Sequence, residues 1–371
     1  MAAHAADEET AGAALWEAAK EGNTAEARRL LDAGAPVDWK NTAEDRATAM
    51  MKAASAGHKD TVELLLDRGA DLEVKDDSGA TAVLRAAWEG HRDTVKLLLD
   101  RGADPETSNR YGEALIILAA QRGHRDMVEL LLDRGADLEA KDNDAATALF
   151  RAVAFGHRAT VKLLVDRGAD LEAKDCYSEV VLIRAAACGH ADMVKLLLDR
   201  GADLEAKNSA SAVMVCAAQR KAASATSGPG TAMFGATSLD RAALRGHKET
   251  VELLLDRGAD PEAKDHYDKT AVIKAAIAGH KDTMELLLDR GADLDAKDHS
   301  GNTALLVAAD RGHKDTVELL LDRGADLEAK NSAGKNALAL CASLGPCAEV
   351  LRSAERLQRW HRRRVLALWA Q

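Results

Sequence analysis

The sequence predicts an all-α solenoid, a stack of helix-turn-helix units with β-turn fingers between them. Three observations predict it. The dipeptide Gly-His returns at Gly57–His58, Gly90–His91, Gly123–His124, Gly156–His157, Gly189–His190, Gly246–His247, Gly279–His280 and Gly312–His313. The step is 33 residues throughout except once, where it is 57, or 33 plus 24. The chain is also 47% hydrophobic but only 3% aromatic, so Ala and Leu must fill the core, which suits thin helices in close contact. A fixed period of this length marks a repeat array. Each unit of such an array buries its apolar stripe on its neighbours, so 371 residues need not divide into separate globular domains.

Residues 81–104, TAVLRAAWEGHRDTVKLLLDRGAD, show one unit. Thr81 is expected to cap the first helix, its hydroxyl accepting from a first-turn N–H. Val83, Ala86 and Ala87 give that helix a narrow apolar face. Gly90 stops it, since Gly takes the left-handed conformation without a Cβ penalty. Asp93 sits near the positive end of the second helix. Val95, Leu97, Leu98 and Leu99 form the predicted buried stripe. Arg101 suits the negative helix end, and Gly102 stops the helix. The stretch Ala103 to Asn109 runs through an extended turn into the next unit.

The Thr-Ala-x-x-x-Ala-Ala-x-x-Gly-His core and the Leu-Leu-Leu-Asp-Arg-Gly-Ala-Asp close resemble ankyrin repeats over about residues 10–356. The resemblance implies a protein-binding module without catalytic turnover, and it implies that finger tips and first-helix rims line a concave face that grips partners. Two departures stand out. The family's Thr-Pro-Leu-His is Thr-Ala here. The Asn that follows its Gly-Ala-Asp-Val, often hydroxylated in family members, is Glu here at Glu73, Glu139, Glu172, Glu205 and Glu328; that modification is therefore not expected.

Along the chain, residues 1–9 read as a disordered acidic N-terminus. Residues 10–207 form repeats 1–6, the first atypical, with Gly22–Asn23 in the Gly-His place. Residues 208–234 break the pattern. The segment 212–220, AVMVCAAQR, resembles a first helix and is followed by Ala, Ser, Thr and Gly228–Pro229–Gly230. Two readings stand: a decayed repeat that lost its second helix, or a long finger loop that touches a partner. On the first, coupling between the flanking stacks is weakest here, and cleavage near Ser227–Gly230 leaves two folded fragments. Residues 235–356 carry repeats 7–10, the last lacking the Gly-Ala-Asp close. Residues 357–371, LQRWHRRRVLALWAQ, form a basic amphipathic helix that either caps the stack or recruits a partner.

Chemistry is sparse. Each Gly-His histidine occupies one repeated slot, so its role is structural; ligands for a metal would have to converge on one point. The Asp-Arg pairs such as Asp67–Arg68 read as solvated helix ends. Lys-Asp pairs such as Lys75–Asp76 and Lys264–Asp265 read as fixing the turns. The five cysteines, Cys176, Cys188, Cys216, Cys341 and Cys347, are scattered without a CxxC pair and suggest neither a disulfide framework nor zinc. No catalytic residue, metal or cofactor is expected. A net charge of −11 argues against general nucleic-acid binding. No apolar run approaches the roughly 20 residues that span a bilayer, and the N-terminus lacks a signal-peptide pattern. A monomer in the cytoplasm or nucleus is expected.

The informative signal is what varies inside the constant frame. Three residues before each cap position stands the finger tip. All three tyrosines of the chain, Tyr111, Tyr177 and Tyr267, occupy this slot, with Phe234. The two positions before Gly-His hold Trp88, Phe155, Leu244 and Ile277. Aromatic side chains concentrate at interface hot spots, so these eight residues are the predicted partner-binding set. The leading function is a scaffold or adaptor. The alternative is substrate recognition for a ligase or kinase complex held through the C-terminal helix, although residues 348–371 do not resemble the box that recruits ubiquitin ligase subunits in some ankyrin proteins.

Overall fold

A computed structural model describes residues 2–208, 235–341, 345, 347–356 and 358. Its described helices pair in chain order. In the first compact unit, Met1–Asp175, the pairs are α1 (Ala2–Lys20) with α2 (Thr24–Asp32), α3 (Ala49–Ser55) with α4 (Lys59–Asp67), α5 (Ala82–Glu89) with α6 (Arg92–Asp100), α7 (Leu115–Gln121) with α8 (Arg125–Asp133), and α9 (Ala148–Ala154) with α10 (Arg158–Asp166). The second unit, Cys176–Gln371, holds α11 (Val181–Cys188) with α12 (Ala191–Asp199), α13 (Ser238–Arg245) with α14 (Lys248–Asp256), α15 (Ala271–Ala278) with α16 (Lys281–Asp289), α17 (Ala304–Arg311) with α18 (Lys314–Asp322), and α19 (Ala337–Leu340). The acidic N-terminus expected to be disordered is instead the start of α1, which runs from Ala2. Its Ala-rich composition supplies the strongest intrinsic helix propensity.

Repeat 3 shows how the sequence makes a pair. α5 buries Ala82, Val83, Leu84, Ala86 and Ala87. Gly90 ends it in the left-handed region, at φ 87°. His91 then starts α6, which buries Thr94, Val95 and Leu98. Leu97 and Leu99 stand half-buried at the edge, so the stripe is narrower than predicted. A helix this short is marginal alone; burying a Val or Leu contributes about 1.5–3 kcal/mol, and only a neighbouring repeat supplies the cover.

The cap position behaves differently from expectation. Thr81 keeps extended cap geometry, φ −90° and ψ 172°, but makes no side-chain cap bond, and its buried hydroxyl has no partner. The capping bond forms at Thr48, Thr147, Thr237 and Thr303. Ala114 and Val180 take the same extended conformation with no hydroxyl at all. Backbone geometry therefore fixes the helix start, which is why the hydroxyl can be lost.

Ladders link successive repeats. Nε2 of His91, His124 and His157 lies 2.9–3.0 Å from the carbonyls of Ser55, Trp88 and Gln121. Since a carbonyl only accepts, the proton sits on Nε2. The imidazole also lies over the glycine of the preceding repeat: a Cβ on Gly57 would fall 2.5 Å from His91 Nδ1. On the second helices, Arg101 binds Asp67 at 2.9 Å and Glu63 at 2.7 Å, and Arg323 binds Asp289 and Glu285 in the same way. The helix ends read as merely solvated are thus inter-repeat ion pairs, each worth little by itself because it is exposed. The Glu that replaces the family's Asn takes part as well. Glu73 and Glu139 accept from the backbone N–H of Asp104 and Asp170 in the following repeat.

The ladder passes the irregular segment without interruption. His247 Nε2 meets Ala187 O at 3.2 Å, across 60 positions instead of 36. Asp260 N–H donates to Glu205 across 55 positions instead of 31. Both shifts equal the 24 extra residues. The turn itself closes normally: Asn208 Oδ1 accepts from Ala236 N–H at 2.8 Å, as Asp76 Oδ1 accepts from Ala80 N–H at 2.9 Å. The extra residues are therefore inserted at the tip of one finger. Segment 209–234, including Ser227–Gly230, lies outside the described residues, but Asn208 and Gly235 belong to one ordinary finger. Repeats 6 and 7 meet within the second unit through the same kinds of bond that join other neighbouring repeats. The predicted C-terminal helix falls on 357 and 359–371, also outside the described residues.

Candidate partner-binding face

The finger tip is built from one polar side chain. In repeat 4, Asn109 Oδ1 accepts from the N–H of Tyr111 at 2.9 Å and of Glu113 at 3.1 Å. In repeat 8, Asp265 Oδ1 accepts from Tyr267 N–H at 2.8 Å and Lys269 N–H at 3.0 Å. The tip carbonyl is held in turn by the next finger: Asn143 N–H donates to Tyr111 O, and His299 N–H donates to Tyr267 O. Backbone groups at the variable tip are thus satisfied by the constant frame, which leaves the side chain free to differ between repeats.

A cation anchors many of these fingers from below. Arg85 holds Asp76 Oδ2 at 2.6 Å, and Arg151 holds Asp142 Oδ2 at 2.6 Å. Burial pushes the Asp76 carboxyl up, but bonds from Ser78 and Ala80 and the Arg85 guanidinium together bring it below the ordinary carboxylate range. In repeat 8 the anchor is Lys274, whose Nζ lies 2.8 Å from Asp240 and 3.2 Å from Asp265 with all three side chains almost wholly buried. Burial raises the Asp240 pKa, against the pull of Lys274. Asn208 replaces the finger aspartate in repeat 7, and Arg241 there pairs with Glu179, which also takes Arg184 at 2.9 Å.

The second variable slot is clamped by the histidines. The carbonyls of Trp88, Leu244 and Ile277 are the partners of His124, His280 and His313. The Gly-His frame thus fixes the backbone at these three positions; Phe155 stands instead at the C-terminal end of α9.

The structure places the predicted residues as follows. Among the described residues, Tyr111, Phe155 and Tyr267 are the exposed large hydrophobics, at 51%, 55% and 47% of full exposure. Trp88, Tyr177, Leu244 and Ile277 are half-buried. Phe234 lies outside the described residues. In the first unit, Trp88 and Tyr111 line one open cleft of about 210 Å³ whose floor includes Leu84 and Leu118; Phe155 does not reach it. The guanidinium of Arg122 stacks 4.8 Å above the Trp88 ring, and that of Arg110 lies 4.9 Å from the Tyr111 ring. Sequence reasoning missed both arginines. The only signal was adjacency for Arg110 and, for Arg122, a spacing of one repeat from the residue beside Trp88.

The profile described as ankyrin repeats (3 copies) matches residues 15–109, 106–175, 174–265, 216–298, 239–331 and 273–359. The chain belongs to the ankyrin-repeat family. Its ankyrin fold is similar to a crystal structure of the human ASB11 ankyrin repeat domain, with a TM-score of 0.56 and 24% identity over 65% of this chain and 98% of that one. A search of curated proteins finds no match. Ankyrin repeats form a protein–protein interaction domain, generally one without catalytic activity. Among the described residues, no helix is long and apolar enough to cross a membrane.

Proposed function

We propose that this ankyrin array is a non-enzymatic scaffold or adaptor that binds a partner protein through its finger tips and first-helix rims. One observation carries the reading. In a chain with 3% aromatic residues, the large hydrophobics exposed among the described residues are Tyr111, Phe155 and Tyr267, and the two tyrosines stand on finger backbone already held by the neighbouring finger. Filling a core does not account for side chains that remain half in water. An aromatic side chain on a fixed backbone loses little entropy on binding, which is what a hot spot requires.

The test is the full-length triple variant Tyr111→Ala, Phe155→Ala, Tyr267→Ala. Its melting temperature should stay within error of the parent, while affinity for captured partners falls by about 2 kcal/mol or more per true hot spot. Unchanged partner capture by the triple variant refutes the proposal.

A further inference from the structure

The cleft between repeats 3 and 4 combines an apolar floor, two aromatic walls and neighbouring cations. Its floor is Leu84 and Leu118, both nearly inaccessible to water. Its walls include the Trp88 and Tyr111 side chains. That arrangement accepts one large apolar side chain. Beside it stand two guanidiniums with no carboxylate partner among the described residues. Arg110 donates to the Asp77 carbonyl at 3.0 Å and to the Tyr111 hydroxyl at 2.7 Å. Arg122 lies over Trp88. Among the described residues neither forms an ion pair, although arginines elsewhere in the same repeats do: Arg85 is taken by Asp76 and Arg101 by Asp67 and Glu63. The acidic side chain on the cleft lining, Glu113, is occupied by Asn109 at 2.7 Å.

A guanidinium stacked on an aromatic ring keeps its in-plane N–H groups directed outward, and a carboxylate matches that fork. Holding the fork still beforehand removes part of the entropy cost of the contact. We infer that this cleft binds an acidic segment of a partner protein that presents a large apolar side chain, the apolar group entering between Trp88 and Tyr111 and a neighbouring Asp or Glu meeting Arg110 or Arg122. The inference deepens the proposed function and rests on it.

The test selects phage-displayed random peptides on the full-length chain, then repeats the selection on three variants. One is Arg110→Glu with Arg122→Glu, which alters exposed side chains and leaves the apolar floor intact. A second is Trp88→Ala with Tyr111→Ala. The third is Phe155→Ala with Tyr267→Ala, away from the cleft. Circular dichroism and melting temperature check that each variant folds. The parent should enrich peptides with Asp or Glu close to Leu, Ile, Phe or Trp. The charge-reversed variant should enrich Lys or Arg instead and bind the parent's peptides about tenfold more weakly or worse, the scale of a lost charge-assisted hydrogen bond. The second variant should lose them, and the third should keep them.

Enriched peptides without acidic residues, or a selection indifferent to charge reversal, overturns the inference. So does failure to enrich any peptide. Peptides lost only in the Phe155 and Tyr267 variant overturn the cleft assignment but leave the binding face standing. Peptides retained by all three variants count against the face as well.

Discussion

Removing Lys274 should damage the array far more than removing any surface lysine. Its ammonium is wholly buried between Asp240 on α13 and Asp265 at the base of the next finger, at 2.8 and 3.2 Å. Lys274→Ala leaves two carboxylates buried and without their cation. Deleting one member of a buried ionic cluster costs about 3–5 kcal/mol, because the remaining charge stays desolvated. The loss should be local, since stability in a repeat stack is close to a nearest-neighbour sum. Native-state hydrogen exchange is therefore the suitable assay, read in 238–245 and 271–278 and at Tyr267, whose N–H depends on Asp265. The pH dependence has a definite sign. Burial already raises the Asp240 pKa, and loss of Lys274 raises it further. A carboxyl with a raised folded-state pKa favours the fold below its unfolded pKa and loses that contribution as pH rises through the folded value. The defect of Lys274→Ala should hence shrink toward acid pH. Pairing Lys274→Met with Asp240→Asn should recover part of the loss, since an apolar or neutral replacement of a buried ion pair is often tolerated. A loss below about 1 kcal/mol, or a defect that does not change with pH, refutes the reasoning.

Other outcomes follow from the ladders. Gly57→Ala should cost more than Gly69→Ala: both have positive φ, 75° and 85°, but only at Gly57 does the added Cβ meet the histidine of the next repeat. The Gly69 variant should lose about 1–2 kcal/mol from backbone strain; equal losses by denaturant titration would mean the imidazole contact is not tight. Joining Asn208 to Gly235 through two residues, as in an ordinary finger, should leave the melting temperature unchanged, and a chain cleaved at Ser227–Gly230 should elute in gel filtration as one associated particle. Separate fragments would show that the ladder between repeats 6 and 7 is weak. Burial lowers the His190 pKa below its ordinary 6.5, with the charge of His247 adding to the effect. A histidine with a depressed folded-state pKa favours the fold above its unfolded value and loses that contribution as pH falls through the folded one. Protection of repeats 6 and 7 should therefore decline as pH drops below about 6.5, and His190→Gln should weaken that dependence.

The repeat, the helix pairs and their turns were legible in the sequence because each rests on a local rule applied many times: Gly90 stops α5, and Asp76 folds its own finger. What escaped reading depends on pairs of residues a repeat or more apart. Leu97 and Leu99 share the apolar character of Leu98, and only packing decides which is buried. Arg101 sits beside Gly102 like any helix-end cation, yet its partners are Asp67 and Glu63 of the preceding repeat. The insertion looked like a lost repeat because 212–220 resembles a first helix. The sequence left a decayed repeat and a long finger loop both open, and the bonds between Asn208 and Ala236 put the two ends of the segment in one finger. At the face, slot counting singled out Tyr111 and Trp88 but could not show that they share one cleft, nor that Arg110 and Arg122 stand over them.

The finger of repeat 7 separates two properties that a folded chain usually ties together, its length and its register. Asn208 and Gly235 close the turn as Asp76 and Gly79 do, so the stack on either side is indifferent to what is threaded between them. Each finger is in that sense a socket. Its base, fixed by an Asx side chain, is a mechanical ground that isolates the frame from whatever is mounted on top. A foreign loop grafted between residues 143 and 145, or between 266 and 268, would then be displayed on the array without retuning the helices beneath it.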